Sequence, residues 1–141
     1  MKAIILYYSL SGHTKKAAEK LARSQGAEVV EIKTVKPVSK LRAFLVECPR
    51  AMMRKPAAIQ PVAQDLKGYD LITLMGPVWA SHPAPAFNAA IELLPKGKNV
   101  QLILVSAGGA GATHRSEQAT RALVKQRGCS VVAYKDVKQS V

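Results

Sequence analysis

Short apolar runs of strand length recur along the chain and set its predicted architecture. They are Ala3–Tyr8, Ala27–Ile32, Leu71–Met75, Val100–Val105 and Cys129–Tyr134. Most of these runs lack the alternation of polar and apolar residues that marks a strand with one solvated face. Continuous apolar strands are typical of a parallel sheet that helices cover on both faces. The pattern therefore predicts an open α/β sandwich built on a five-stranded parallel sheet.

Helical periodicity fills the intervals between these runs. Apolar residues at positions 17, 18, 21 and 22 share one face of a predicted helix, and Gly26 provides its C-terminal stop. Two further helices are predicted over Pro85–Leu94 and Ser116–Gln126, the first opened by a proline and the second closed by Gly128.

The segment Lys33–Pro61 is less regular than the rest of the chain. Helical spacing is present at Leu41, Phe44, Leu45 and Cys48. Pro49 follows directly and interrupts the helical pattern. We predict one helix, a kink or break at Pro49 and then a long loop.

The strand order decides where a ligand would bind. Short right-handed crossovers leave few orders for five parallel strands, and one of them is 2-1-3-4-5. In that order strands 1 and 3 are neighbours, and ligands bind beyond the carboxyl ends of the strands at this reversal point. The predicted site lies where the loop Ser9–Thr14 faces the loop Gly76–Pro85. We find no repeat and no linker, so residues 1–141 are predicted to form one domain.

The first of these loops has the chemistry of a phosphate site. Ser9, Ser11 and Thr14 supply hydroxyls, Gly12 lets the backbone approach closely, and a helix start supplies free N–H groups. A polar turn in which Ser or Thr caps the helix is the alternative. The chain has no P-loop string, and its first turn lacks the Gly-x-Gly-x-x-Gly fingerprint, so P-loop nucleotidases and Rossmann dehydrogenases are disfavoured.

The loops after strands 3 and 4 offer an aromatic plane and a backbone-rich rim. The second loop carries the single Trp of the chain, Trp79, among three prolines, so a flat cofactor could stack there. A core or subunit-contact role is the alternative for Trp79. The third loop, Ser106–Thr113, consists of small residues whose N–H and C=O groups could reach a heteroaromatic edge, or it is a simple connection.

Together these loops resemble those of the flavodoxin family. The family's phosphate loop has the form Ser/Thr-x-Ser/Thr-Gly-x-Thr, and Ser9–Thr14 matches it at every defined position. Tyr69–Trp79 is similar to the family's third strand and flavin-contacting loop, and the resemblance covers nearly the whole chain. The resemblance implies a flavodoxin-like three-layer sandwich of order 2-1-3-4-5 and noncovalently bound FMN.

The resemblance also implies a set of cofactor-binding residues. The FMN phosphate would be held by Ser9, Ser11, Gly12, His13 and Thr14. The ring would contact Pro77, Val78, Trp79 and Ala80. Its pyrimidine side would meet Ser106, Ala107, Gly108, Gly109 and Gly111. The flavin would carry the chemistry, so no catalytic side chain is expected. His13, His82 and His114 lack metal-ligand spacing and are interpreted as ordinary loop residues.

Charge separates this chain from electron-carrying flavodoxins, which are typically acidic. The chain has 21 Lys and Arg against nine Asp and Glu, a formal charge of +12, and seven basic residues against Glu47 lie between positions 33 and 55. The basic face is either simply solvated, the interpretation we favour, or docks an acidic redox partner or substrate. We do not expect nucleic acid as a partner, since Phe44 is the one aromatic residue among these charges.

Two further features of the chain differ from the flavodoxin family. The third loop contains no aromatic residue, which leaves one ring face open to a substrate or to a second subunit. The chain stops about seven residues beyond Tyr134, too few for the final helix of the family. An uncovered apolar sheet face commonly marks a protein interface, so a homodimer is predicted.

The function predicted from the sequence is that of an FMN-binding electron-transfer protein. The alternatives are an NAD(P)H-dependent flavin or quinone reductase and a basic α/β interaction module without flavin. Two cysteines without a Cys-x-x-Cys pattern favour a reducing cytoplasm. No stretch approaches the ~20 apolar residues of a membrane span, and the run Ala3–Tyr8 is too short for a signal peptide.

Overall fold

A computed structural model describes residues 1–39 and 46–140. The first half of the described chain contains β1 (Ala3–Tyr7), α1 (His13–Gln25), β2 (Glu28–Glu31), α2 (Cys48–Met52) and a short 3-10 helix (Leu66–Gly68). The second half contains β3 (Leu71–Trp79), β4 (His82–Pro83), α3 (Pro85–Ile91), β5 (Asn99–Ser106), α4 (Glu117–Gln126) and β6 (Ser130–Lys138).

The sheet has the order β2-β1-β3-β5-β6, and β4 pairs with the end of β3 beside this path. All pairs along the path are parallel, whereas β3 and β4 form an antiparallel hairpin. The predicted order 2-1-3-4-5 is confirmed, with β5 and β6 as its fourth and fifth strands. The fold is therefore flavodoxin-like, and β1 and β3 meet at the reversal point.

Helices cover the two faces of the sheet unequally. The larger core packs α3 and α4 against one face, with Phe87, Leu102 and Val124 fully buried. Gly76 in β3 permits this packing, because a Cβ there would lie 3.0 Å from Cδ2 of Phe87. The smaller core packs the face of α1 that carries Ala18 and Ala22 against the opposite side of the sheet.

The ends of the helices follow the sequence signals. Gly26 closes α1 with a φ of 63°, and the N–H of Ala27 donates to the Ala22 carbonyl at 3.0 Å. Such left-handed C-caps favour glycine because it has no Cβ. Pro85 opens α3 as predicted, but α3 ends at Ile91 rather than Leu94.

The prediction of a loop over Gly76–Pro85 is largely wrong. β3 continues through Trp79, and the pairing of Pro77 with Val105 extends the contact with β5. Gly76 and Pro77 belong to the strand because the neighbouring strand β5 is long enough to pair with them. What remains of the loop is the turn Ala80–Ser81 between β3 and β4.

Two strands at the sheet edges also depart from the sequence prediction. β2 is mostly exposed, so it is not the doubly covered strand that its apolar run suggested. β6 extends to Lys138, four residues beyond the predicted end at Tyr134, because it pairs with β5 as far as Ser106. Polar residues are tolerated in this extension since an edge strand is partly solvated.

The irregular segment contains one short helix among the described residues around Pro49. Leu41, Phe44 and Leu45 lie outside the described residues. Of the predicted kink or break at Pro49, the break is wrong, because this proline lies in the first turn of α2. Proline is well accepted there, since the first N–H groups of a helix have no partner within it.

Candidate functional site

The candidate site lies at the carboxyl edge of β1, β3 and β5. These strands are adjacent and parallel, so the segments that follow them emerge side by side. In the structure the first loop comprises residues 8–12 after β1, and the third loop comprises residues 107–116 after β5. These bounds replace the predicted ones from here on. The turn Ala80–Ser81 follows β3. Topology thus brings together the three segments singled out in the sequence.

The first loop forms a tight turn into α1. The hydroxyl oxygen of Ser9 accepts a hydrogen bond from the Gly12 N–H at 3.0 Å. Gly12 is the N-cap of α1 and has a φ of 96°, a conformation that favours glycine. A Cβ at Gly12 would meet no atom within 4 Å, so the space beside the helix start is open.

The start of α1 is suited to an anion. The first helical hydrogen bond joins the Lys16 N–H to the Gly12 carbonyl at 3.1 Å. The N–H groups of His13, Thr14 and Lys15 therefore have no acceptor within the helix. The first turn contains no acidic residue, so the positive end of the helix dipole is not neutralised.

Trp79 is held beside the first loop by an aromatic contact. The rings of Tyr8 and Trp79 lie 6.0 Å apart at an angle of 85°, an edge-to-face arrangement. Tyr8 is buried, and its N–H donates to the Met75 carbonyl at 3.0 Å. Trp79 is half-buried, so part of its indole stays accessible at the edge.

The turn between β3 and β4 has an unusual backbone. Ala80 and Ser81 have φ values of 52° and 62°, which place both in the left-handed region. Two-residue hairpins of type I′ require this conformation and normally use Asn or Gly. For other residues it costs on the order of 1 kcal/mol each. The Nδ1–H of His82 donates to the Ala80 carbonyl at 2.7 Å, which supports the turn.

The third loop is anchored to the end of β6. The Gln139 N–H donates to the Ser106 carbonyl at 2.8 Å, and the Gly109 N–H donates to the Ser106 hydroxyl oxygen at 3.1 Å. Gly109 has a φ of 66°, and a Cβ there would lie 3.0 Å from Cβ of Lys138. Glycine is therefore required at this position both for its conformation and for the close approach of β6.

Buried hydroxyl groups connect the rest of the third loop to its neighbours. Thr113 is fully buried, and its N–H and hydroxyl both donate to the Asp136 carboxylate, the hydroxyl at 2.8 Å. The hydroxyl of Ser116 donates to the Ser81 carbonyl at 3.0 Å. The third loop is thus joined to β6 and to the turn Ala80–Ser81.

The predicted residues occupy different positions at this edge. Ser11, Ala80, Ala107, Gly108 and Gly111 are exposed at its surface. Those that are partly buried are Ser9, Gly12, His13, Pro77, Val78, Trp79 and Ser106. Thr14 and Gly109 are buried. The exposed residues leave the edge open to solvent.

Sequence reasoning missed several residues that shape the site. Tyr8 was assigned to a strand as the last apolar residue of its run, although it lies just beyond β1 and supports Trp79. Ser116 was treated as the start of a helix, and Asp136 belongs to a tail for which no role was predicted. The polar character of Asp136 after the apolar run was the only available signal.

The edge has the features that an FMN molecule requires. The open helix start without acidic residues fits a phosphate, and the accessible indole on the neighbouring strand fits a flat ring.

Among residues 1–39 and 46–140 no three His, Cys, Asp or Glu side chains are grouped as a metal site. Within the same residues no helix has the length and apolarity to cross a bilayer.

Comparison with protein families gives a match over residues 1–137 to the family described as NADPH-dependent FMN reductase. The chain belongs to this family. Membership supports the flavodoxin-like, FMN-binding redox character that the loops predicted. A search of curated proteins gives no match.

Solved structures of flavoproteins share the fold. A flavoprotein from Lactobacillus acidophilus in complex with FMN is 25% identical with a TM-score of 0.79, over 98% of this chain and 93% of that one. A flavoprotein structure from Bacteroides eggerthii is 21% identical with a TM-score of 0.78, over 95% and 86% of the two chains. Oxidised flavodoxin 1 from Bacillus cereus is 18% identical with a TM-score of 0.57, over 100% and 86%.

Two tyrosines of this region, Tyr8, which is buried, and Tyr134, which is partly buried, give a pH prediction. Burial raises the pKa of Tyr8 to about 12, with a smaller contribution from Glu47, and burial likewise raises the pKa of Tyr134 to about 12. Unfolding returns both groups to about 10, so the unfolded state loses protons first as the pH rises. The contribution of these two tyrosines to the free energy of unfolding is expected to be constant well below pH 10 and to fall between pH 10 and 12.

Urea unfolding at a series of alkaline pH values measures this slope, and tyrosinate absorbance measures the titration itself. Tyr8→Phe keeps the ring contact with Trp79 but removes the phenol, so the decline should become shallower in that variant. An equally steep decline in Tyr8→Phe would contradict the assignment.

Proposed function

We propose that the chain binds FMN at this edge and uses it to transfer electrons from NADPH to an acceptor. The observation that carries the proposal is the placement of the open α1 N-terminus beside the Tyr8-supported indole of Trp79 at the reversal point of the sheet. Family membership over residues 1–137 supports the choice of NADPH as donor.

The first loop and α1 would hold the phosphate of FMN. The N–H groups at the helix start can donate to phosphate oxygens, and their dipole favours a dianion. Hydroxyls of the same turn add neutral donors. The residues proposed for this role are Ser9, Ser11, Gly12, His13 and Thr14.

The two other segments would hold the ring. Trp79 offers an apolar plane whose position is fixed by Tyr8, and the small residues of the third loop allow backbone groups to reach a heteroaromatic edge. The residues proposed along the β3 end are Pro77, Val78, Trp79 and Ala80. Those proposed in and before the third loop are Ser106, Ala107, Gly108, Gly109 and Gly111.

FMN when bound would supply the redox chemistry, accepting a hydride from a nicotinamide and passing electrons to an acceptor. The protein's part is to bind and orient. The exposed residues of the edge, Ala80, Ala107 and Gly108, leave access for a nicotinamide or a small acceptor.

A second candidate function is that of an electron carrier between a reductase and another protein. The net charge of +12 favours it, because a basic surface attracts an acidic redox partner. Part of this excess lies in the basic segment, whose described basic residues are Lys33, Lys36, Arg50, Arg54 and Lys55. The carrier and the reductase share the FMN site and differ in the electron donor.

The phosphate site is tested by calorimetric titration of the apoprotein with FMN and with riboflavin. We expect saturable binding of FMN and weaker binding of riboflavin, which lacks the phosphate. Ser11→Glu places a negative charge at the exposed turn and should weaken FMN binding about tenfold by charge repulsion. The effect on riboflavin should be small.

Ser11→Gln is the matched control, because it has the same size without the charge. Equal losses in Ser11→Glu and Ser11→Gln would contradict phosphate binding at this turn. Absence of any heat or uptake with FMN in the unmodified chain would overturn the proposed function and favour the flavin-free interaction module.

The donor is tested by mixing the purified holoprotein with NADPH or NADH under anaerobic conditions and following the flavin absorbance. Unaided bleaching by NADPH is expected of the reductase. A flavin that stays oxidised with either nucleotide, and is reduced only when a separate reductase is added, would establish the carrier function instead.

The oligomeric state is the second part of this proposal, and we propose a homodimer. A groove of about 360 Å³ lies between α1 and β6, with Leu21, Ile103 and Val137 among its apolar lining. Apolar surface of this kind is stabilised by burial against a second copy. Lys20, Lys135 and Lys138 also line the groove, so two copies repel each other at low ionic strength.

Sedimentation at micromolar concentration is therefore expected to show a dimer that strengthens as salt screens these lysines. Leu21→Lys should shift the protein to monomer. A monodisperse monomer at both low and high salt would contradict the dimer.

Both cysteines are free thiols, which supports the further proposal of a cytoplasmic location.

A further inference from the structure

A series of buried and partly buried hydrogen bonds joins β6 to the turn between β3 and β4. The Asp136 carboxylate accepts from the Thr113 hydroxyl, the Thr113 carbonyl accepts from the Ser116 N–H at 3.0 Å, and the Ser116 hydroxyl donates to the Ser81 carbonyl. Thr113 and Ser116 are both fully buried. The series thus connects two of the three segments proposed to contact FMN.

The Asp136 end of the series has a defined direction. The Thr113 N–H donates to Oδ2 of Asp136 at 3.1 Å, and the Thr113 hydroxyl donates to Oδ1 at 2.8 Å. A threonine hydroxyl has one proton, and the carboxylate takes it. The Tyr134 hydroxyl, 2.6 Å from Oγ1 of Thr113, must therefore be the donor in that pair.

The other end of the series rests on Ser116. Its hydroxyl donates to the Ser81 carbonyl at 3.0 Å and is also 3.2 Å from the Thr113 carbonyl. Ser116 is the N-cap of α4, yet its side chain makes no capping hydrogen bond to that helix. Serine at an N-cap ordinarily accepts a hydrogen bond from the first turn of its helix. Here the hydroxyl is directed to a different segment of the chain.

The segment that receives this hydrogen bond is the strained one. Ser81 and Ala80 hold left-handed φ values of 62° and 52° without being glycine. Such conformations persist only where surrounding contacts impose them. The Ser116 hydrogen bond acts on the carbonyl of Ser81 itself, directly after Ala80 and two residues after Trp79.

We propose that Ser116, anchored through Thr113 to Asp136, is a positioning residue that holds the strained turn Ala80–Ser81 and thereby Trp79 in the geometry for the flavin ring. The inference rests on the proposed function for the identity of the ligand. The positioning of Trp79 can be measured without any ligand, because Trp79 is the single tryptophan of the chain.

The test compares Ser116→Ala with Thr120→Val. Thr120 is also fully buried, and its hydroxyl donates to the Ser116 carbonyl at 3.0 Å without reaching the turn. Each variant removes one buried hydroxyl. In the apoprotein, acrylamide quenching of Trp79 fluorescence should increase in Ser116→Ala and stay unchanged in Thr120→Val. FMN affinity should fall roughly tenfold in Ser116→Ala only, the effect of losing one buried hydrogen bond.

A glycine background separates positioning from simple destabilisation. Ala80→Gly with Ser81→Gly makes the left-handed turn accessible without support. In that background Ser116→Ala should change FMN affinity and Trp79 quenching by less than about twofold. A penalty of the same size in both backgrounds would overturn the inference, as would equal effects of Ser116→Ala and Thr120→Val.

Asp136→Asn provides the second variant if Ser116→Ala does not fold. An amide has one acceptor oxygen for the two donors of Thr113, so the anchor is weakened while the volume is kept. Trp79 quenching should rise in Asp136→Asn, and unchanged quenching would overturn the inference. If the unmodified chain does not bind FMN, the proposed function fails, whereas the quenching results still decide the positioning role.

Discussion

Parallel pairing of β3 with β1 on one side and with β5 on the other is the constraint on which the site depends. Parallel strands have their carboxyl ends at the same edge, so the first loop, the turn Ala80–Ser81 and the third loop emerge together. None of these segments could form a binding surface alone. The buried core beneath them holds β3 in place through the packing of Phe87 against Gly76, three residues before Trp79.

Much of this arrangement could be predicted from the sequence because it depends on local patterns. Apolar runs marked the strands of the sheet, and Gly26 and Pro85 marked helix ends through their backbone geometry. The hydroxyl residues around Gly12 predicted a polar turn into a helix, and Gly12 is the N-cap of α1. These signals are short in sequence and act through the conformational preferences of single residues.

The parts that could not be predicted depend on pairs of residues far apart in the chain. Tyr8 and Trp79 meet only because β1 and β3 are neighbours, and Thr113 meets Asp136 only because β6 extends beyond its apolar run. The extension of β3 through Gly76 and Pro77 likewise depends on the length of β5. Such contacts follow from the tertiary arrangement, so they cannot be predicted from local propensity.

The turn between β3 and β4 also limits how this protein can diverge during evolution. Side chains branched at Cβ are disfavoured at both of its positions by the left-handed backbone, whereas glycine, asparagine and aspartate adopt it at low cost. In a homologue that keeps a two-residue hairpin here, we therefore expect residues branched at Cβ to be rare at both positions, even though both are exposed. Mutational tolerance at this surface is set by the backbone rather than by exposure.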